Sequence, residues 1–183
     1  GQDLQHWLND YIFPAEAKLD QRAVAAGTGL GLAEMIAAGV TCVADMYMKT
    51  GTIAQQIVEA GISANLSCGG VYFGAPEDFS PETCGDCRNQ IALPEEWHGA
   101  NDGQILVDAS VHAEYTSNPP LWRWMADYAM EHRLNMHVHV SETVSECGTA
   151  GGPWPPTVCT PRRRTGPSCR KSTSPASTTP GPI

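Results

Sequence analysis

Two rhythms of apolar and polar residues run along the first 147 positions, and they predict alternating helices and strands. AVAAGTGLGLAEMIAA, residues 23–38, reads as an Ala/Leu-rich helix. Its glycines at 27, 29 and 31 each weaken it by roughly 1 kcal/mol relative to Ala, and Gly39 stops it. VTCVADMY (40–47) is β-branched and mostly apolar, the pattern of a strand buried on both faces, and it reaches Asp45 near its end. TIAQQIVEAG (52–61) is an amphipathic helix closed by Gly61, and ISANLSCGGVYF (62–73) is the next strand. Residues 74–103, with Pro76, Pro81 and Pro94, form a connection long enough to be a candidate active-site loop. ILVDASVHAEYTS (105–117) is a third strand and its exit. PPLWRWMADYAMEHR (119–133) is a helix opened by prolines, and NMHVHVSET (135–143) is a fourth strand. This order favours parallel strands joined by right-handed crossovers. An open doubly wound sheet and part of a (β/α)8 barrel both fit it.

Composition adds a boundary. After Cys147 the chain has no Asp, Glu or His and is mostly Pro, Gly, Ser and Thr, with Arg162, Arg163, Arg164, Arg170 and Lys171. The body therefore carries a formal −14 and the tail +5, for −9 overall. Residues 1–147 are expected to form the folded domain and residues 148–183 a disordered tail. An out-of-frame translation is one reading of that tail, and a genuine Pro/Ser linker is the other. The acidic balance argues against a nucleic-acid partner, and no apolar run of about 18 residues predicts a membrane span. The start, GQDLQHWLND, has neither a secretory pattern nor an initiator Met, as in a partial beginning, and a cytoplasmic setting is expected. Seven cysteines read as incidental reduced thiols. Cys84 and Cys87 have zinc-ribbon spacing but lack a second pair.

The chemistry concentrates in MHVHVSET. In a strand, His137 and His139 share a face, and Ser141 and Glu142 fall where the strand runs out. From spacing alone the imidazoles are either metal ligands or buried structural groups.

Five strings, taken together, separate these readings: LQHWLNDYIFPAE (4–16), AEMIAAGVTCVADMY (33–47), AGISANLSCG (60–69), SVHAEYTS (110–117) and MHVHVSET (136–143). In order and spacing the chain resembles the amidohydrolase superfamily. Its nearest branch is similar to the 5-methylthioadenosine/S-adenosylhomocysteine deaminases, with chlorohydrolases and guanine deaminases as near relatives. The resemblance implies an α/β fold, a partial (β/α)8 TIM barrel holding strands 2 to 5. It makes His139 a ligand of one divalent metal, zinc first and iron as the alternative. Glu142 becomes the proton shuttle and His112 a substrate-binding residue, while His137 stays structural. The implied substrate is a small heteroaromatic molecule, deaminated hydrolytically by an intact parent that is expected to be homo-oligomeric.

Two positions depart from the family pattern. Glu114 stands where Pro is frequent, and Ser63 where an Arg associated with the substrate's carboxylate end is frequent. The strand-1 H-x-H, the strand-6 His and the strand-8 Asp of the family have no counterpart in this sequence, so the chain alone is expected to be inactive and marginally stable. The rival readings are a chlorohydrolase or guanine-type deaminase, and a non-catalytic α/β scaffold that has lost its ligands.

Overall fold

The computed structural model describes residues 3–140 and Glu142; the boundary expected at residue 147 and the tail beyond it lie outside these. The chain opens with two short helices, α1 (Leu4–Trp7) and α2 (Phe13–Glu16), joined by a π turn over Leu8–Ile12. Pro14 offers no N–H to the helical ladder, and the backbone widens just before it, Phe13 N–H bonding back to Leu8 O. Helix α3 (Gln21–Ala37) then starts at an Asp20 cap, whose Oδ1 accepts from Ala23 N–H at 2.7 Å. Gly39 ends it at φ 82°, a backbone angle that suits glycine.

From there strands and helices alternate. Strand β1 (Cys42–Met46) leads to α4 (Thr50–Ala60), and β2 (Ser63–Ser67) follows directly. Between residues 74 and 103, where a long loop was expected, the chain forms helix α5 (Gly85–Trp97) and one short turn of helix, α6 (Ala100–Gly103). The proline signals concealed α5 because Pro94 sits near its carboxyl end, and because its wholly buried Gln90 reads as a surface residue. The third predicted strand is interrupted at Asp108 and becomes β3 (Ile105–Val107) and β4 (Ala109–Ala113). Helix α7 (Pro119–His132) and β5 (Met136–His139) complete the described elements.

All pairings are parallel. One sheet runs β1-β2-β3 and the other β4-β5, and a bridge between Gly70 and Val111 continues the β2 chain alongside β4. The interruption at Asp108 has a visible cause. The Gln90 amide inserts there, Nε2 donating to Asp108 O at 3.5 Å and Oε1 accepting from Ser110 N–H at 3.2 Å.

The strands are two-faced. Ala64, Leu66, Ile105 and Val107 pack under Ile53 and Ile57 of α4 and Leu93 of α5, while Val111 packs with Leu121, Met125 and Cys87. Fully burying such an aliphatic side chain contributes roughly 1.5–3 kcal/mol. The opposite face is polar. On it Asn65 and Asn135 both donate to the Asp108 carboxylate, at 3.2 and 3.3 Å. Strand β1 departs from the sequence expectation, since Cys42 and Ala44 are exposed rather than buried. It is the outer strand of its sheet, and no described strand pairs with its far edge.

Candidate active site

The carboxyl ends of β4 and β5 bring the singled-out residues together. His112 is half-buried near the end of β4. The 3-10 turn after it, Glu114–Thr116, returns Thr116 to the ring, and His112 Nδ1 lies 2.9 Å from Thr116 Oγ1. That hydroxyl also lies 3.2 Å from Ala113 O, and when it donates its one proton there it accepts from Nδ1–H and leaves the lone pair on Nε2. Burial, and then the neighbouring His139, hold His112 below the usual histidine range, against an opposite pull from Glu142 and Glu16.

His137 is held the same way. Its Nδ1 is 3.1 Å from Ser67 Oγ, which donates to Asp45 O at 3.4 Å. His137, set as structural alongside the resemblance, has its hydrogen-bond partner in Ser67. His139 stands edge-on to both rings, 5.2 Å from His112 and 6.0 Å from His137 between centroids. Glu142 is exposed and accepts from Tyr115 O–H at 2.6 Å, and the Tyr115 ring lies 6.1 Å from that of His112. His112, His139 and Glu142 are thus gathered by β4, β5 and one tyrosine.

Beside His112 a groove of about 470 Å³ opens between the helical arm and the segment after β2. Phe13, Glu16, Tyr47, Met48 and Phe73 line it with His112 and Thr116. Tyr47 O–H donates to Glu16 Oε1 at 2.8 Å, and burial, with Glu16 beside it, pushes the phenol up to about 12. Sequence reasoning passed over Glu16, Tyr47, Ser67, Tyr115 and Thr116. All five lie in or next to the strings that carried the resemblance, yet only tertiary structure shows which of them meet.

Other candidates resolve differently. Asp45 does not cap α4, where Lys49 occupies the capping position in a left-handed conformation. Its carboxyl is raised by burial, a rise opposed by His137. Cys84 and Cys87 are buried among Val111, Leu121 and Met125, and burial pushes the Cys87 thiol up. Trp124 stacks on Tyr128 at 5.3 Å, a packing contact. Exposed His98 is bonded through its ring, Nδ1 accepting from Val107 N–H at 3.1 Å. Among the described residues no three His, Cys, Asp or Glu side chains converge on one metal-sized point. The imidazoles present therefore fit a cation only as contributors, since zinc takes about four ligands.

Parallel strands joined by helices, with imidazoles and an acid at their carboxyl ends, define an α/β scaffold whose candidate site lies where such folds place their chemistry. The pattern of the Amidohydrolase family matches residues 1–152, and the chain belongs to that family. It is 38% identical over 145 residues to a 5'-deoxyadenosine deaminase of Methanosphaera stadtmanae, covering 79% of this chain and 33% of the relative. It is 37% identical over 143 residues to a 5-methylthioadenosine/S-adenosylhomocysteine deaminase of Dictyoglomus thermophilum, covering 78% and 32%. Among solved structures, a zinc-bound adenosine deaminase of Xanthomonas campestris superposes with a TM-score of 0.69 at 26% identity, over 80% of this chain and 33% of that one. Guanine deaminase of E. coli shares the fold alone, with a TM-score of 0.68 at 19% identity, over 80% and 35% of the two chains. The chain spans about a third of the length of the relatives it matches. No helix among the described residues is long and apolar enough to cross a membrane.

Proposed function

We propose that this chain is the part of a hydrolytic deaminase that carries one metal ligand, the proton shuttle and a substrate contact, and that the intact enzyme acts on an adenine-type nucleoside with a modified 5' end. The observation that carries this reading is the meeting of His112, His139 and Glu142 at the carboxyl ends of adjacent parallel strands. The names of the relatives at 37–38% identity support the substrate class. His139 would contribute one nitrogen to a divalent cation, zinc before iron, alongside ligands from outside the described residues. Such a cation, when bound, acts as a Lewis acid and makes hydroxide available near neutral pH. Glu142 takes up a proton and returns it to the ring nitrogen next to the carbon under attack, a transfer worth typically 10²–10⁴-fold. Tyr115 positions that carboxylate. His112, neutral and with Nε2 bare, faces the ring as an acceptor in its resting form and as a donor once protonated. With the other family metal ligands absent, the chain by itself would be inactive, and its open strand edges would leave it marginally stable and prone to self-association. Its setting would be a reducing, cytoplasmic one, in keeping with the free thiols of Cys42, Cys68, Cys84 and Cys87.

The test is ammonia release from 5-methylthioadenosine, adenosine and guanine by a full-length protein containing this chain, with Glu142→Gln and His139→Ala beside it. Adenine nucleosides are expected to turn over, with Glu142→Gln lowering kcat at least about 100-fold. Turnover of guanine alone would move the assignment to the guanine-type branch. Unchanged turnover and metal content after His139→Ala would overturn it.

A further inference from the structure

We propose that Cys84 and Cys87 are a redox-active pair, oxidised by a small peroxide to a disulfide across the first turn of α5, and that closing it loosens the backbone holding His112. The proposal does not depend on the deaminase reading, since neither the pair nor its link to His112 involves a substrate.

Helix α5 is the crossover of a strand–helix–strand unit from β2 to β3, and Cys-Gly-Asp-Cys opens it. Two thiols at that spacing, at the start of such a helix, are the arrangement of dithiol redox sites. Cys84 occupies the N-cap with ψ 118°, and its carbonyl accepts Arg88 N–H at 3.2 Å, so the helix turns directly from it. Its side chain caps no backbone group. Cys87 follows one turn later, and both pack as free thiols against Val111, Leu121 and Met125. Side chains three apart on a helix have Cβ atoms about 5–6 Å apart, and a disulfide needs about 3.5–4.5 Å, so closure draws the turn in by about 1–2 Å.

The two sulfurs are unequal. Cys87 is wholly buried, whereas Cys84 keeps 7% exposure. Burial, and then its hydrogen bond with Cys84, push the Cys87 thiol up, so Cys87 keeps its proton and donates it toward Cys84 Sγ. Cys84 is therefore the attacking sulfur and Cys87 the resolving one. Cys84, its proton released to water, attacks one peroxide oxygen. The O–O bond breaks, and the departing hydroxide takes up a proton to become water. Cys87 sulfur then attacks the sulfenic sulfur of Cys84. The S–O bond breaks, and hydroxide leaves as water with the Cys87 proton. Two thiols are oxidised and one peroxide is reduced to two waters.

Asp86, between the two cysteines, carries the change to the candidate site. Its Oδ2 accepts from Val71 N–H at 2.8 Å. On either side of Val71, Gly70 O accepts from His112 N–H at 2.9 Å and Tyr72 N–H donates to Thr116 O at 3.0 Å. Thr116 Oγ1 in turn meets His112 Nδ1 at 2.9 Å. A turn drawn in at Cys84 and Cys87 pulls Asp86 off Val71, and the segment that grips His112 and Thr116 loses its anchor.

The test exposes the whole 183-residue chain, reduced beforehand, to a slight excess of hydrogen peroxide, followed by alkylation and trypsin. The peptide of residues 50–88 holds Cys68, Cys84 and Cys87. It is expected to be two hydrogens lighter, with Cys68 alone alkylated. Cys87→Ser should accumulate a sulfenic acid at Cys84 that dimedone captures, and Cys84→Ser should give neither product. Hydrogen exchange at the Val71 amide should quicken at least about tenfold on oxidation and slow again with dithiothreitol. Alkylation of both Cys84 and Cys87 after peroxide, or a bridge from either to Cys68, overturns the pair. A closed bridge with unchanged exchange at Val71 overturns its link to His112. Because the mapping is read on the unmodified chain, misfolding of either variant does not decide the outcome.

Discussion

Thr116 and Ser67 do more for the site than their small size suggests. Each hydroxyl lies within reach of a backbone carbonyl as well as of an imidazole Nδ1, and giving its single proton to the carbonyl makes it the acceptor of Nδ1–H. Thr116→Val removes that acceptor from His112 without changing the side chain's shape. Nitrogen-15 NMR is expected to find one His112 tautomer, protonated on Nδ1, in the unmodified chain and a mixture in the variant. Asp45 gives a second expectation, with a pH signature. Burial raises its carboxyl above 3.8, so ionisation is harder in the folded chain than in the unfolded one. The resulting penalty is absent in acid, grows as pH rises from 3.8 through the raised value, and is full at neutrality. Asp45→Asn should therefore raise urea resistance at pH 7 and bring no gain below about pH 4. At this scale the sequence made His112, His139 and Glu142 legible through their spacing and strings. It could not make Thr116 or Ser67 legible, because a hydroxyl's importance lies in which ring folds onto it.

At the scale of elements, Gln90 is the clearest case of a side chain that shapes a strand. Its amide takes Asp108 O and Ser110 N–H out of the ladder and divides one predicted strand into β3 and β4. Gln90→Leu keeps the bulk and removes both hydrogen bonds, leaving two buried backbone groups unsatisfied. A loss of about 2 kcal/mol in denaturant unfolding is expected. The helices α3, α4 and α7 were readable from periodicity, because a stop glycine or a proline pair marks an end of each, whereas the strands read as four and are five. Helix α5 was not, since its buried face carries Gln90 and Cys87 and a proline sits inside it. Local pattern reports how apolar a face is and stays silent when a polar group is buried against a strand break.

For the whole molecule, the parallel order of the strands was legible and the closure of the sheet was not, since an open sheet and a barrel share one period. The described residues leave the far edges of β1 and β5 unpaired, and along β5 Met136 and Val140 are 41% and 46% exposed. Parallel strands with bare edges invite association. Light scattering during size exclusion is expected to detect species larger than a monomer, and the paired change Met136→Lys with Val140→Lys should shift the population toward monomer. An unchanged profile would place the association elsewhere.

The pairing order carries one more consequence. Within each sheet the strands lie in chain order, β1-β2-β3 and β4-β5, and the β2 segment reaches β4 through Gly70 and Val111. Each pairing within a sheet closes across a helical crossover, the longest of them holding α5 and α6, and such non-local parallel ladders form slowly. As the polypeptide leaves the ribosome, β2, β3 and β5 can each pair within their sheet only after the intervening crossover helix has emerged.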